Sequence, residues 1–170
     1  KHVRFLYSKG GLYKIFNGNL LLHGCIPLTD DGEVMEFKIN GKSLRGRDFM
    51  DYAESVARQG YYARSGSAER QYGMDFLWFL WCGRHSPTYG RDRMTTFERR
   101  LIKDESAWAE PKNAYYTFYN DPEVCIRLMK GFGLEGDHCH IINGHVPVKS
   151  KKGESPLKGG GRLIVIDGGF

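Results

Sequence analysis

The stretch His140-Ile141-Ile142-Asn143-Gly144-His145-Val146-Pro147 decides how this chain folds. Its apolar run predicts a buried strand, and the Asn-Gly that follows predicts a turn that carries a histidine. A second apolar run, Asn19-Leu20-Leu21-Leu22-His23-Gly24-Cys25-Ile26-Pro27, also ends in a histidine beside a glycine. Open sheets bind ligands where strands end, and neutral imidazole is the commonest protein metal ligand. We therefore predict that His23 and His145 belong to one site; the alternative is that each caps a strand and hydrogen-bonds a carbonyl.

The composition describes a globular protein with an anionic partner. The chain has 170 residues, of which 41% are hydrophobic and 14% aromatic, enough for one domain with a core. A net charge of +5 and a pI near 9.0 favour a phosphorylated small molecule, nucleic acid or an acidic surface. Four cysteines without a C-x-x-C pair favour a reduced cytoplasm, and no apolar stretch reaches the ~18 residues of a membrane span.

The local pattern predicts a mixed α/β or α+β fold. Asn17-Gly18 between two apolar runs predicts a hairpin, and three- and four-residue spacing predicts a helix from Gly46 to about Ala63. Ser67 is predicted to cap a second helix that carries aromatic and apolar residues on almost all sides, so this helix must be buried or pack on a partner. We expect its aromatic cluster to lie in the core; the alternative is that these rings stack on a substrate. The remaining predicted elements are strands at 34–39, 114–119, 138–142 and 163–166, a helix from Asn120 or Asp121 to Gly131 or Gly133, an irregular segment at 83–113 with a short helix near 95–102, and a basic loop at 149–161.

The termini suggest part of a longer polypeptide. The chain begins at Lys1, and it ends directly after the strong strand pattern Leu163-Ile164-Val165-Ile166. A strand of this kind normally has neighbours on both sides. We expect residues 1–170 to form a single partial domain with a helical insertion at about 46–82.

Several long stretches together resemble a known family. Leu20-Leu21-Leu22-His23-Gly24, Ile141-Ile142-Asn143-Gly144-His145 and Leu163 to Phe170 resemble the C-terminal half of a calcineurin-like metallophosphatase. The stretches Tyr13 to Leu20, Met94 to Arg99 and Ile141 to Pro156 are similar to the metallophosphatase-type, class III fructose-1,6-bisphosphatases of bacteria. The resemblance covers essentially the whole chain and implies a β-sandwich flanked by helices.

The resemblance also implies a reaction. Such enzymes are two-metal phosphatases, usually dependent on Mn²⁺, in which a metal-bridging hydroxide attacks phosphorus; here this would remove the 1-phosphate of fructose 1,6-bisphosphate in gluconeogenesis. By position, His23 and His145 match two ligands of one metal. The family motifs Gly-Asp-x-His-Gly, Gly-Asp-x-x-Asp-Arg-Gly and Gly-Asn-His-Glu, which supply the remaining ligands and the general acid, do not occur in the chain. We expect them in a missing N-terminal half, and we expect the isolated segment to be inactive because two neutral ligands hold a divalent ion poorly.

Cations in two loops are candidates for phosphate binding. The resemblance puts the irregular segment near the substrate, and guanidinium forks match phosphate oxygens. Lysines cluster in the loop after His145, although charged Gly-rich loops are often only solvated surface. The predicted substrate-binding residues are Arg91, Arg93, Lys149, Lys151 and Lys152.

Two other functions remain open. Another phosphatase of the same superfamily would act on phosphoproteins or dinucleotide polyphosphates. A basic nucleic-acid-binding module would use positive charge and stacking tyrosines, but the chain lacks the spacing of known nucleic-acid motifs. We therefore expect a cytoplasmic sugar bisphosphatase that forms a homo-oligomer and binds neither nucleic acid nor a membrane.

Overall fold

A computed structural model describes residues 1–168 of the chain. A five-stranded mixed sheet forms its centre, and a separate two-stranded hairpin lies beside the helices. The helices and strands are, in chain order, α1 His2–Lys9, β1 Tyr13–Phe16, β2 Asn19–Leu22, β3 Glu36–Ile39, β4 Lys42–Arg45, α2 Gly46–Tyr62, α3 Ala68–Cys82, α4 Glu98–Leu101, α5 Tyr115–Phe118, α6 Pro122–Gly131, β5 His140–Asn143, β6 Leu157–Lys158 and β7 Leu163–Val165.

Three adjacent parallel strands set the geometry of the sheet. The strand order is β1-β2-β5-β7-β6, with β2, β5 and β7 parallel and the two outer strands antiparallel to their neighbours. In register, Leu22 lies beside Asn143, and Asn143 lies beside Val165. The carboxyl ends of all three parallel strands therefore meet at one edge of the sheet, where ligands bind in open sheets.

The core lies on one face of this sheet. Side chains alternate between the two faces of a strand, and on the core face they are almost completely buried. Helix α6 and the tyrosines of α5 pack against this face. The opposite face carries Leu21, Ile142 and Ile164 in one register row, and these side chains are only partly buried within residues 1–168. The buried strand residues are Leu20, Leu22, Ile141, Asn143, Leu163 and Val165.

The helical region predicted at 46–82 forms two helices, α2 and α3, packed at very short range. A Cβ added to Gly73 would lie 2.1 Å from the Cα of Gly60, so only glycine permits this crossing. Ser67 caps α3 as predicted, because its side chain accepts a hydrogen bond from the backbone N–H of Arg70. The prediction that the aromatic cluster lies in the core was wrong for Trp78 and Trp81 within residues 1–168, which are 64% and 60% exposed, and the alternative that this helix packs on a partner stays a prediction.

The strand predicted at 114–119 was wrong, because these residues form the short helix α5. The cause is Asn113, a buried residue whose side-chain oxygen accepts hydrogen bonds from the backbone N–H groups of Tyr115 and Leu28. This side chain turns the backbone at the point where β-favouring tyrosines alone predict extension. The helix then buries Tyr115, Tyr116 and Tyr119 in the core.

Smaller differences concern element boundaries. Residues 2–9 form α1, a helix that the sequence did not predict. The strand predicted at 34–39 continues through Asn40-Gly41 into β4 as a second hairpin. His138 precedes β5, so His138 and His140 do not occupy alternate positions of one strand as predicted. The predicted hairpin at Asn17-Gly18 and the helix that begins after Asp121 are both confirmed.

The mixed α/β fold class is confirmed. Residues 1–168 supply one large sheet and the β3–β4 hairpin, so the second sheet of the expected sandwich is not formed by these residues. No helix within them is long and apolar enough to cross a bilayer.

Candidate metal centre

His23 and His145 lie side by side at the carboxyl edge of the sheet. His23 directly follows β2, and His145 follows the adjacent strand β5 after one glycine. The Nδ1 atom of His145 lies 3.0 Å from the Nε2 atom of His23, and the ring centroids are 4.9 Å apart. Two residues separated by 122 positions in the sequence thus meet because parallel pairing brings the ends of their strands together.

The ring of His145 is oriented by a backbone carbonyl. Its Nε2 atom lies 2.7 Å from the carbonyl oxygen of Tyr89. Because a carbonyl oxygen only accepts, Nε2 must carry the hydrogen, and the neutral ring then presents a lone pair on Nδ1 toward His23. A carbonyl that accepts the hydrogen of one ring nitrogen in this way fixes the tautomer of a metal-binding histidine.

The backbone between the two loops is held tightly. The backbone N–H of Gly144 donates to the carbonyl of His23 at 3.1 Å, and Asn143 donates its side-chain N–H to the carbonyl of Gly24 at 2.7 Å. His145 has a φ of 67°, a left-handed conformation that residues other than glycine adopt rarely and only when surrounding contacts enforce it. These hydrogen bonds and the left-handed turn together place the imidazole of His145 beside His23.

Glycine is required at position 24. A Cβ at Gly24 would lie 2.1 Å from the carbonyl oxygen of Pro87, and the next residue, Cys25, donates its backbone N–H to that same oxygen at 2.8 Å. This close approach joins the loop that contains His23 to the segment that leads to Tyr89. The same contacts therefore support both histidines.

The electrostatic environment favours neutral His145. Burial lowers the pKa of His145, and the nearby His23 and Arg91 lower it further, whereas the hydrogen bond to Tyr89 and the charge of Asp167 act in the opposite direction. An unprotonated imidazole is the form that binds a cation. Asp167 follows β7 at the same edge of the sheet, so the ends of three neighbouring strands contribute to this region.

The two histidines fit a divalent cation as partial ligands. Two nitrogen ligands at ~2.1 Å from an ion and at a right angle to each other are roughly 3.0 Å apart, which agrees with the observed separation. No cluster of three or more His, Cys, Asp or Glu side chains that could hold a metal occurs among the described residues. Residues 1–168 can thus offer only part of a coordination shell.

The predicted phosphate-binding residues have different surroundings. Arg91 lies close enough to His145 to influence its pKa, and its guanidinium also contacts Glu110 at 3.8 Å. Arg93 is turned away, because its Nε donates to the carbonyl of Ala109 at 2.9 Å. The three lysines Lys149, Lys151 and Lys152 are exposed around a short 3-10 turn at Ser150–Lys152.

Some residues of this region were not predicted from the sequence. Tyr89 acts through its backbone carbonyl, which leaves no signal in its side-chain type. Asn143 was predicted only as part of a turn, although a polar residue at the end of a buried strand is a reason to expect a structural hydrogen bond. Lys112 pairs with Arg91 in an isolated antiparallel bridge and was also overlooked.

Comparison with known proteins identifies the family. The sequence model described as Firmicute fructose-1,6-bisphosphatase matches residues 1–170. The chain is 46% identical over its full length to a protein named fructose-1,6-bisphosphatase class 3 from Clostridium botulinum strain Hall, and 45% identical to one from Clostridium novyi. It covers 25% and 26% of those proteins, a smaller share than the half suggested by the resemblance. No solved structure matches the chain. The chain belongs to the Firmicute fructose-1,6-bisphosphatase family.

Proposed function

We propose that the full-length protein is a Mn²⁺-dependent phosphatase that hydrolyses the 1-phosphate of fructose 1,6-bisphosphate in gluconeogenesis. The observation that carries this proposal is the 3.0 Å approach of His23 to His145 at the carboxyl edge of the sheet, in a chain of this family. Because the chain spans about a quarter of its relatives' length, the remaining ligands and the general acid are assigned to the rest of the protein.

Each residue of the segment has a distinct task in this proposal. His23 and His145 would hold one Mn²⁺ ion, which when bound neutralises phosphate charge and lowers the pKa of water. The carbonyl of Tyr89 keeps the hydrogen of His145 on Nε2, so that Nδ1 stays free to act as a ligand. Arg91 adds a fixed positive charge beside His145 that would bind phosphate oxygens.

The partly exposed face of the sheet supports a larger assembly. Leu21, Ile142 and Ile166 line a cleft of about 480 Å³ that also contains His23. We assign this face to contact with the remainder of the longer chain, where the second sheet of the sandwich would lie. The exposed Trp78 and Trp81 on α3 give a second apolar surface, which supports the proposal of a homo-oligomer.

The alternative of a nucleic-acid-binding module is less well supported. Stacking on bases requires exposed aromatic rings. Tyr115, Tyr116 and Tyr119 are buried in the core and cannot stack on bases, and although Trp78 and Trp81 are exposed, the family match over the whole chain favours a phosphatase. Another phosphatase of the same superfamily is the nearer alternative, and the substrate distinguishes it from the present proposal.

Phosphate release from fructose 1,6-bisphosphate by the full-length protein with Mn²⁺ tests the proposal. His23→Ala and His145→Ala should each reduce kcat/KM by about 100-fold or more, since loss even of a residue that only hydrogen-bonds to a metal ligand costs about 10- to 100-fold. His138→Ala is the matched control, because His138 is an exposed histidine outside the site, and it should retain activity. Absence of activity on fructose 1,6-bisphosphate, with activity on a phosphoprotein or a dinucleotide polyphosphate, would assign the protein to the nearer alternative. Full activity of the isolated 170-residue chain would contradict the division of the site between two parts of the protein.

A further inference from the structure

A group of cations lies next to the histidine pair, on a segment that the site itself holds in place. The carbonyl of Tyr89 contacts His145, and two residues further on Arg91 pairs with Lys112 in an antiparallel bridge. Two residues of extended chain span no more than roughly 7 Å, so the backbone of Arg91 lies near enough to His145 for one small ligand to contact both. Further hydrogen bonds fix the bridge, from the backbone N–H of Asp92 to the carbonyl of Pro111 and from that of Asn113 to the carbonyl of Gly90.

Tyr116 lies close to both strands of the Arg91–Lys112 bridge. A Cβ at Gly90 would lie 2.7 Å from the Tyr116 hydroxyl, so the backbone before Arg91 rests directly on this buried side chain. The ammonium of Lys112 lies 6.0 Å from the centroid of the same ring. A cation over an aromatic face is held without neutralisation of its charge. Lys112 therefore lies over the ring of a buried core residue, and this contact does not neutralise its charge.

The charges around Lys112 are mainly positive. Partial desolvation lowers the pKa of Lys112, and the charges of Arg91 and Lys149 lower it further, whereas Glu154 raises it. Glu154 is already engaged, because it accepts hydrogen bonds from the ammonium of Lys158 and the backbone N–H of Lys149, each at 2.9 Å. Within residues 1–168, no carboxylate forms an ion pair with Lys112. Like charges held this close are relieved by an anion.

We propose that Lys112, together with Arg91 and Lys149, binds the phosphate group of the substrate that is not hydrolysed. A bisphosphate would thus be held at both ends, with one phosphate at the His23–His145 pair and the other at Lys112. This assignment rests on the phosphatase activity proposed above and makes Lys112 a determinant of specificity for bisphosphates over monophosphates. Arg93 and Lys158 have no part in it, because Arg93 donates to the carbonyl of Ala109 and Lys158 pairs with Glu154 at 2.9 Å. Arg91 also contacts Glu110, but only through Nη1, at 3.8 Å from the carboxylate and 3.4 Å from the carbonyl, so its other N–H groups can bind a phosphate.

Steady-state kinetics of the full-length protein with two substrates test the inference. The substrates are fructose 1,6-bisphosphate and p-nitrophenyl phosphate, which has only one phosphate. Lys112→Ala should raise KM for the bisphosphate by about 10- to 100-fold, the range of one charge-assisted hydrogen bond, with little change in kcat. The kcat/KM for p-nitrophenyl phosphate should stay within about twofold of the wild-type value, because this substrate has no second phosphate for Lys112 to bind and replacement of an exposed side chain has little other effect.

Two further variants separate binding from folding. Lys112→Arg keeps the charge and should retain most of the affinity for the bisphosphate, whereas Lys103→Ala removes an exposed lysine elsewhere and should change neither substrate. Equal losses on both substrates for Lys112→Ala, or no loss on either, would overturn the inference.

Binding can be decided independently of catalysis. If the wild-type protein releases no phosphate from fructose 1,6-bisphosphate, the proposed function fails, and calorimetric binding of this compound to the wild type and to Lys112→Ala still tests Lys112. Weaker binding to the variant supports the assignment. Equal binding, or none to either protein, overturns it.

Discussion

Replacement of Asn143 by alanine tests how the two strand ends are joined. Asn143 is 1% exposed and donates its side-chain N–H to the carbonyl of Gly24 at 2.7 Å. Alanine removes this donor and leaves a buried carbonyl without a partner, which costs about 1–3 kcal/mol. The side-chain oxygen of Asn143 has no partner within residues 1–168, so its removal adds no further loss. We therefore expect the free energy of unfolding to fall by about 1–3 kcal/mol.

Urea denaturation of the 170-residue chain, followed by circular dichroism, measures this change. The slope of the free energy against urea should stay the same, because the variant unfolds from the same fold. Asn120→Ala is the matched control: Asn120 is exposed and donates to the carbonyl of Thr117, so its loss should stay within about 0.5 kcal/mol. A loss for Asn143→Ala that is no larger than that of the control would refute the role of Asn143 as the link between the loops.

Two other predictions concern packing and pH. Gly73→Ala should destabilise the chain by about 2 kcal/mol, because the added methyl group meets the backbone of α2 and this clash outweighs a gain of ~1 kcal/mol in helix propensity. The control Gly131→Ala should be neutral or stabilising, since nothing lies within 4 Å of its Cβ. Equal thermal midpoints for the two variants would contradict this prediction. Burial alone would raise the pKa of Glu110, but hydrogen bonds from Thr95 and nearby arginine charges outweigh it and lower the pKa below 4.5. The ionised carboxylate of Glu110 therefore stabilises the fold above that pH. The difference in unfolding free energy between the wild type and Glu110→Gln should shrink as the pH falls below 4.5. A difference that stays constant between pH 7 and pH 3 would refute this stabilising role of Glu110.

Local signals in the sequence predicted most of the fold. Asn17-Gly18 fixed the hairpin, Ser67 marked the start of α3, and Asp121 with the following proline marked the start of α6. These signals act within a few residues, so no tertiary contact is needed to interpret them. The failure at 114–119 had a distant cause, because the side-chain oxygen of Asn113 accepts a hydrogen bond from the backbone N–H of Tyr115 while it also accepts one from Leu28, a residue 85 positions away.

The residues of the candidate site also differ in whether local sequence can predict them. His23 and His145 could be found because each follows an apolar strand, and parallel pairing then determines that they meet. The Tyr89 carbonyl and Lys112 could not be found, since one acts through the backbone and the other through a bridge within an irregular segment. Pairings of this kind depend on the path of a loop, which residue types do not specify.

In the proposed site, His23 and His145 bind the same cation. Electron spin echo envelope modulation of Mn²⁺ bound to the full-length protein measures this directly, because it detects the nitrogen atoms coordinated to the ion. We predict modulation from two imidazole nitrogens of this segment, with one lost in His23→Ala, another in His145→Ala and none in His138→Ala. Nitrogen modulation that is unchanged in both His23→Ala and His145→Ala would contradict the account.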